Sequence, residues 1–313
     1  MKKLFIVVPV YNEEEVLRDT AEALGGVISS LSEKGKISDD SKIVFVNDGS
    51  TDNSYEIIKE LSKKDVFIGI SLSCNRGHQN ALLAGYEYAS GKCDAVITID
   101  ADLQDDTSVI ETMVDKFLEG RDIVYGVRND RSSDSFFKRN SASVFYKIMA
   151  LLGVKTVPNH ADFRLVSGRA LKELLKFRER NIFLRGMVPL VGFSSENVYY
   201  KRKPRAAGES KYPFRKMLSF AAEGITSFST KPLRLITYMG LIVFLISILM
   251  MVYVVVRFLS GATVAGWSSI IISLWAIGGL LLLAVGIVGE YVGKIYLEVK
   301  NRPLYVIEEI CGE

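Results

Sequence analysis

The chain has 313 residues, of which 49% are apolar and 24% charged, with a formal net charge of +3 and a mean hydropathy of +0.20. The charge is segregated: residues 235–256 and 258–289 carry none, while the rest has an ordinary globular composition. These figures exclude a disordered chain, a disulfide scaffold and a wholly soluble protein.

At the N-terminus, Met1-Lys2-Lys3 leads into only seven apolar residues (Leu4–Val10) before Asn12 and three Glu, so no signal peptide is expected. Short, nearly continuous apolar runs follow one another at Lys3–Val8, Ile43–Val46, Val66–Leu72, Ala95–Ile99 and Ile123–Val127. Such runs predict strands buried on both faces. Between them, helices are predicted near 13–34, 53–64, 78–90 and 107–119, with Asp52 and Thr107 as N-caps of two. The alternation predicts an α/β fold with a doubly wound, mostly parallel sheet, whose ligands bind at the carboxyl ends of the strands.

Residues 134–230 are less regular. A helix is predicted near 136–152, a short strand at 163–167, helices at 168–177 and 181–190, and a strand at 197–203. Lys201–Lys216 then holds seven basic residues against one acid, Glu209. A basic stretch before a membrane span lies on anionic headgroups, so an interfacial segment is expected over 216–233. Leu235–Val256 is 22 uncharged residues, roughly 33 Å as a helix, enough for a bilayer core of about 30 Å. Trp267–Gly289 is a second expected span, with a Trp at its interfacial start. Lys231 and Arg234 precede the pair, Lys294, Lys300 and Arg302 follow it, and the intervening loop holds only Arg257. Both ends are therefore expected in the cytoplasm. Cys74, Cys93 and Cys311 lack metal-ligand spacing and read as reduced thiols.

Polar groups follow every strand: Pro9-Val10-Tyr11-Asn12-Glu13, Asn47-Asp48-Gly49-Ser50-Thr51-Asp52, Asn75-Arg76-Gly77-His78-Gln79, Asp100-Ala101-Asp102-Leu103-Gln104, and Gly126-Val127-Arg128. No GxGxxG follows the first strand and no GxxxxGK[ST] occurs, which disfavours Rossmann dinucleotide binding and P-loop chemistry. Asp100 and Asp102, one residue apart at a strand end, can hold a hard divalent cation through oxygen.

The first, second and fourth of these motifs, in that order and spacing, resemble the family 2 glycosyltransferases of the GT-A fold. More narrowly, the chain is similar to the polyprenyl-phosphate glycosyltransferases, the bactoprenol glucosyltransferases and dolichyl-phosphate mannose synthases. Gly126-x-Arg128, Ala161-Asp162-Phe163-Arg164-Leu165, Ala207–Tyr212 and the ending Gly289–Lys294 add to the resemblance.

The resemblance implies a Rossmann-like GT-A catalytic domain over 1–215, the interfacial segment at 216–233, a membrane anchor at 234–289 and a cytoplasmic tail at 290–313. It implies transfer of a sugar, with inversion, from a nucleotide diphosphate donor to a polyprenyl phosphate at the inner face of a bacterial plasma membrane. Glucose on UDP is the expected donor, Mg²⁺ or Mn²⁺ the expected cofactor, and no nucleic acid is expected as a partner. Pro9, Tyr11, Glu13 and Asp48 are expected to line the nucleoside pocket, Asp48 accepting from uracil or ribose. Asp100, Asp102 and Gln104 would face the diphosphate and metal, with Asp102 the direct ligand. Arg128 would bind the acceptor phosphate as a bidentate fork, with Arg139 and Lys211 as further candidates, Lys211 in a loop able to close over the diphosphate. Asp162 would orient a sugar hydroxyl or the acceptor. The apolar face of the tail (Val306, Ile307, Ile310) suggests packing on a neighbouring chain in a homo-oligomer.

The sequence departs from the family pattern at Asp105-Asp106, where a Pro is common, and at Cys74, where an Arg is. No Gln-x-x-Arg-Trp occurs, which disfavours a processive synthase. His78 reads as a helix-start residue. Two alternatives stay open: a different lipid or glycan acceptor, or a non-catalytic membrane scaffold.

Overall fold

The apolar runs form strands in the predicted order. In the computed structural model, the described residues are 1–128, 160–180, 182–201, 231–260 and 266–313. β1 (Leu4–Val10), β2 (Lys42–Asn47), β3 (Phe67–Leu72), β4 (Ala95–Thr98) and β5 (Ile123–Arg128) alternate with α1 (Leu17–Glu33), α2 (Ser54–Leu61), α3 (His78–Ala89) and α4 (Val109–Leu118). β6 (His160–Ser167), α5 (Gly168–Leu174), α6 (Leu184–Leu190) and β7 (Ser195–Tyr200) follow. α7 (Lys231–Leu259), α8 (Trp267–Lys300) and β8 (Ile307–Cys311) end the chain.

The eight strands form one sheet in the order β7-β5-β6-β4-β1-β2-β3-β8. β1 pairs in parallel with both β2 and β4, so the strand order reverses between β1 and β4. That reversal opens a crevice at the strands' carboxyl ends. β6 runs antiparallel between β4 and β5, so the sheet is mixed on that side. Every residue of β1 is buried, as is every residue of β3 and β4, which is why the sequence runs are apolar without alternation. α1 buries Leu17, Thr20, Ala21, Leu24, Ile28 and Leu31, a stripe at helical spacing against the sheet.

Helix starts differ from the sequence reading for local reasons. α1 begins at Leu17 rather than 13 because Asn12 takes a left-handed φ of 55° and the carbonyl of Glu13 accepts from the N–H groups of Val16 and Leu17. Asp52 lies one residue before the N-cap Asn53, yet its Oδ1 accepts the Ser54 N–H at 3.0 Å. At α4 the N-cap is Ser108 rather than Thr107, and Asp106 Oδ1 accepts the Ser108 N–H at 3.2 Å. The helix expected over 136–152 and most of the segment 216–233 lie outside the described residues.

The chain divides into two compact units, one holding the sheet and one holding α7 and α8. Residues 302–313 belong to the sheet unit. The tail was expected to present its apolar residues to a neighbouring chain; β8 pairs antiparallel with β3 of its own chain, with Ile310 opposite Ile70, and Val306, Ile307 and Ile310 remain exposed. Tyr55 Oη donates to Glu309 (2.7 Å), in the middle of β8, and Lys92 to Glu313 (2.6 Å), just beyond it.

α7 and α8 are 29 and 34 residues long. Among the described residues one helical stretch, Ala276–Lys300, is long and apolar enough to cross a membrane, at mean hydropathy 1.9. Two spans were expected; one is supported. α8 also runs past the expected end at Gly289, to Lys300, where Asn301 adopts a left-handed φ of 43°.

Candidate active site

The loops after β1 and β2 are joined by reciprocal hydrogen bonds. The Asn12 N–H donates to Ser50 Oγ (3.1 Å) and the Thr51 N–H to Asn12 Oδ1 (2.8 Å). The Glu13 N–H donates to Ser54 Oγ (2.9 Å), and the Asn53 N–H to Glu14 Oε2 (3.0 Å). These bonds present the Tyr11 side chain, 46% exposed, at the rim of the crevice, while Pro9 stays buried within β1.

Asp48, buried at the end of β2, turns toward the loop after β3. Its Oδ1 accepts the Arg76 N–H (2.7 Å) and its Oδ2 the Gly77 N–H (2.9 Å). Burial pushes its carboxyl up from the ordinary carboxylate value, partly offset by these N–H groups. Asp48 thus shapes the β3–α3 loop, a task the sequence did not suggest. Gly77 supplies the φ of +89° with which that loop enters α3.

Gly49 is fixed by the same contact. Its φ is +64°, and a Cβ there would sit 2.6 Å from the backbone N of Asn75 and the carbonyl carbon of Cys74. Gly49→Ala should therefore destabilise the domain by at least about 2 kcal/mol, from left-handed strain plus a backbone clash. Thermal unfolding of the variant checks this; an unchanged midpoint would contradict the close approach.

At the switch point, Asp100 and Asp102 follow β4, Asp162 lies on β6, and His78 opens α3. His78 Nε2 stands 3.5 Å from Asp162 Oδ2 and 3.7 Å from Asp100 Oδ1. Asp162 is buried and also accepts from Arg164 Nη2, and from Arg185 Nε (3.2 Å) and Nη2 (2.9 Å). Burial would raise the Asp162 carboxyl, but Arg185, His78 and Arg164 outweigh it and hold it well below the usual carboxylate range. Asp100 moves the other way: burial raises it, and Asp162, Asp105 and Asp102 add to the rise against His78. Two carboxylates in one crevice are thus pushed apart.

His78 is pulled down by burial and pulled up more by Asp162 and Asp100, against Arg185, for a net rise. A raised folded value means that its stabilising contribution is fully present below about pH 6.5 and is lost as pH rises through the folded value. In metal-free buffer, His78→Gln should therefore lower the unfolding midpoint more at pH 6 than well above the folded value. An equal loss at every pH would contradict the pairing.

Gln104 is buried, and its Oε1 has no hydrogen-bond partner. Its N–H donates to Asp102 Oδ1 at 3.2 Å. Among the described residues no group of three or more His, Cys, Asp or Glu is arranged to hold a metal ion. Two carboxylates and an orphaned amide oxygen still fit a hard cation that takes its remaining oxygens from substrate phosphates, as Mg²⁺ commonly does.

On the other side of β4, Arg128 ends β5 and is held by Asp105 and Tyr200. Burial works against the Arg128 charge, and Asp105 more than restores it. The crevice therefore brings together Asp48, Asp100, Asp102, Gln104 and Asp162 with His78 and Arg185, and Arg128 lies beside it. Arg139 and Lys211 lie outside the described residues. His78, Arg164, Arg185, Asp105 and Tyr200 were not among the expected site residues. Arg164 had a signal: on a strand it shares a face with Asp162, two residues back, so a charged pair was legible.

The chain is similar to known proteins. The description "Glycosyl transferase family 2" matches residues 5–175. The "Uncharacterized glycosyltransferase YkoT" of Bacillus subtilis (strain 168) is 51% identical over 97% of this chain and 91% of that protein. The "SfII prophage-derived bactoprenol glucosyl transferase" of Shigella flexneri is 41% identical over 98% of each. Among solved structures, glucosyl-3-phosphoglycerate synthase of Mycobacterium tuberculosis is 16% identical, with a TM-score of 0.45 over 72% of this chain and 76% of that one. With a family match over more than half its length and near-full-length relatives, the chain belongs to glycosyltransferase family 2.

Proposed function

We propose that the protein transfers a hexose, glucose from UDP-glucose, to the phosphate of a polyprenol with inversion at the anomeric carbon. The observation that carries this reading is the state of Asp162. It is a buried carboxylate beside the switch point, and the guanidiniums of Arg185 and Arg164, with His78, hold it well below the usual carboxylate range. A general base works best with a pKa near the operating pH, so Asp162 is poorly suited to take a proton from a neutral hydroxyl. A phosphate oxygen is already an anion and needs no such help. The near-full-length similarity to bactoprenol glucosyl transferases supports the same acceptor.

The residues then divide by task. Asp100, Asp102 and Gln104 would hold Mg²⁺ or Mn²⁺, which when bound neutralises the donor diphosphate. Tyr11, Glu13 and the stitched loops beside Asp48 frame the nucleoside, with Pro9 buried behind them. Arg128 meets the acceptor phosphate with its guanidinium, and Arg139 and Lys211 add basic contacts. Asp162 orients a sugar hydroxyl and keeps Arg185 and His78 in place. The reaction then depends chiefly on holding two anionic reactants in line.

The reading places the enzyme on the cytoplasmic face of a bacterial plasma membrane. Helices over 235–256 and 267–289 anchor it, with the basic segment 216–233 on the inner leaflet. A transfer assay tests the function. Purified protein in detergent receives undecaprenyl phosphate, Mg²⁺ or Mn²⁺ and a panel of labelled nucleotide sugars. EDTA-sensitive transfer of label to the organic phase from UDP-glucose is expected. Transfer from another donor alone would refute the sugar, and none from any donor would refute the reaction.

A further inference from the structure

Arg128 and Tyr200 are the last residues of β5 and β7 and lie opposite one another in the parallel register. The backbone therefore brings the two side chains to one edge of the sheet. Arg128 Nε donates to Tyr200 Oη (3.3 Å), and Arg128 Nη2 donates to Asp105 Oδ1 (3.2 Å). Tyr200 Oη donates to the same Asp105 oxygen, which closes a three-membered ring of hydrogen bonds. The ring draws on three separate elements: the loop after β4, the end of β5 and the end of β7.

Burial within the ring is graded. The Asp105 side chain is 1% exposed and that of Arg128 is 28% exposed. Asp105 Oδ2 is buried without a partner, so the carboxylate is satisfied through Oδ1 alone. A buried carboxylate answered from one side binds its guanidinium firmly, because releasing it leaves an uncompensated charge. The Tyr200 ring is itself fixed, meeting Phe163 edge to face with centroids 5.5 Å apart.

A guanidinium has five N–H donors in one plane. Two are taken here, at Nε and Nη2. Arg128 Nη1 has no partner among the described residues. The free donors lie in the same plane, which suits bidentate binding of a phosphate. A long, flexible side chain ordered before its ligand arrives loses less freedom on binding.

We propose that Asp105 and Tyr200 are positioning residues for the acceptor, clamping Arg128 so that its open N–H groups form a preset fork for the phosphate. This rests on the reading that Arg128 meets the acceptor phosphate. It also gives a task to Asp105, which in the sequence stands out only as a departure from the family pattern.

The test uses the full chain in detergent with UDP-glucose, Mg²⁺ and undecaprenyl phosphate. KM is measured separately for donor and acceptor in Tyr200→Phe, Arg128→Ala and the double variant. Tyr200→Phe removes the hydroxyl and keeps the ring on Phe163. It should raise the acceptor KM by about 5–20-fold, with the donor KM unchanged within about twofold. In the Arg128→Ala background it should add nothing, because the group it orients is gone. The clamp is overturned if the acceptor KM rises in Arg128→Ala but not in Tyr200→Phe. A rise confined to the donor KM, or independent effects in the double variant, overturns it equally. No transfer by the unaltered chain, or an unchanged acceptor KM in Arg128→Ala, removes the parent reading instead. Asp105→Asn should repeat the acceptor effect; if it does not fold, Tyr200→Phe decides alone.

Discussion

Replacing Asp102 by Asn should lower turnover by about 10²–10³-fold while leaving the fold in place. Asn keeps the shape and one acceptor oxygen, so the Gln104 N–H that now donates to Asp102 Oδ1 retains a partner. What is lost is a negative charge beside Asp100, at the strand end where the donor diphosphate and its cation would lie. The thermal midpoint of the metal-free protein should shift little, because Asp102 is only partly buried. Single-turnover transfer rates and the Mg²⁺ or Mn²⁺ concentration for half-maximal rate measure the effect. Retained turnover at an unchanged cation requirement would remove Asp102 from the metal.

The second large effect is on stability. Arg164 is fully buried, and its Nη2 pairs with Asp162 while its Nε donates to the Asp162 carbonyl at 3.4 Å. Arg164→Met fills much of the volume but removes a cation from a buried carboxylate. Breaking such a pair costs about 3–5 kcal/mol, and the low end applies here because Arg185 and His78 still face Asp162. At roughly 2–4 °C per kcal/mol, the midpoint should fall by on the order of 6–12 °C. Arg185 makes a useful contrast. Its side chain is 34% exposed, so Arg185→Ala should cost less stability and more turnover. Equal midpoints for Arg164→Met and the unaltered protein would show that Arg164 is not needed to balance Asp162.

The strands that position this site were legible because they are buried on both faces. An unbroken run such as Ile43–Val46 has no other easy reading at that length, and Gly49, Gly77 and the loop polar residues marked its ends. The carboxylates Asp100 and Asp102 were legible because β4 carries them directly to the crevice. The cations were not. Arg185 reaches Asp162 from a short helix 23 residues downstream, and His78 looks like any helix-start residue until β4 and β6 bring Asp100 and Asp162 against it. Asp48 shows the converse: its position was readable, but not that the N–H groups of Arg76 and Gly77 would hold both its oxygens. The tail's place in the sheet was hidden for a related reason. Nothing around Ile307–Cys311 in the sequence marks it as a strand that adds to the edge at β3, since that pairing is made by the backbone, while Val306, Ile307 and Ile310 stay exposed. The membrane segments were plain as composition, yet their boundaries were not, since α8 continues helical past the charged residues Glu290 and Lys294.

In the proposed reaction the nucleophile is a phosphate oxygen. Offering the unaltered enzyme UDP-glucose with equal amounts of undecaprenyl phosphate and a diacylglycerol, and identifying the glycosylated lipid by mass spectrometry, tests it most directly. A phosphate-linked glucosyl polyprenol as sole product, formed at a rate that Asp162→Asn lowers without changing acceptor choice, is the predicted result. Glucosylated diacylglycerol, lost entirely in Asp162→Asn, would contradict it and make Asp162 the base for a neutral hydroxyl.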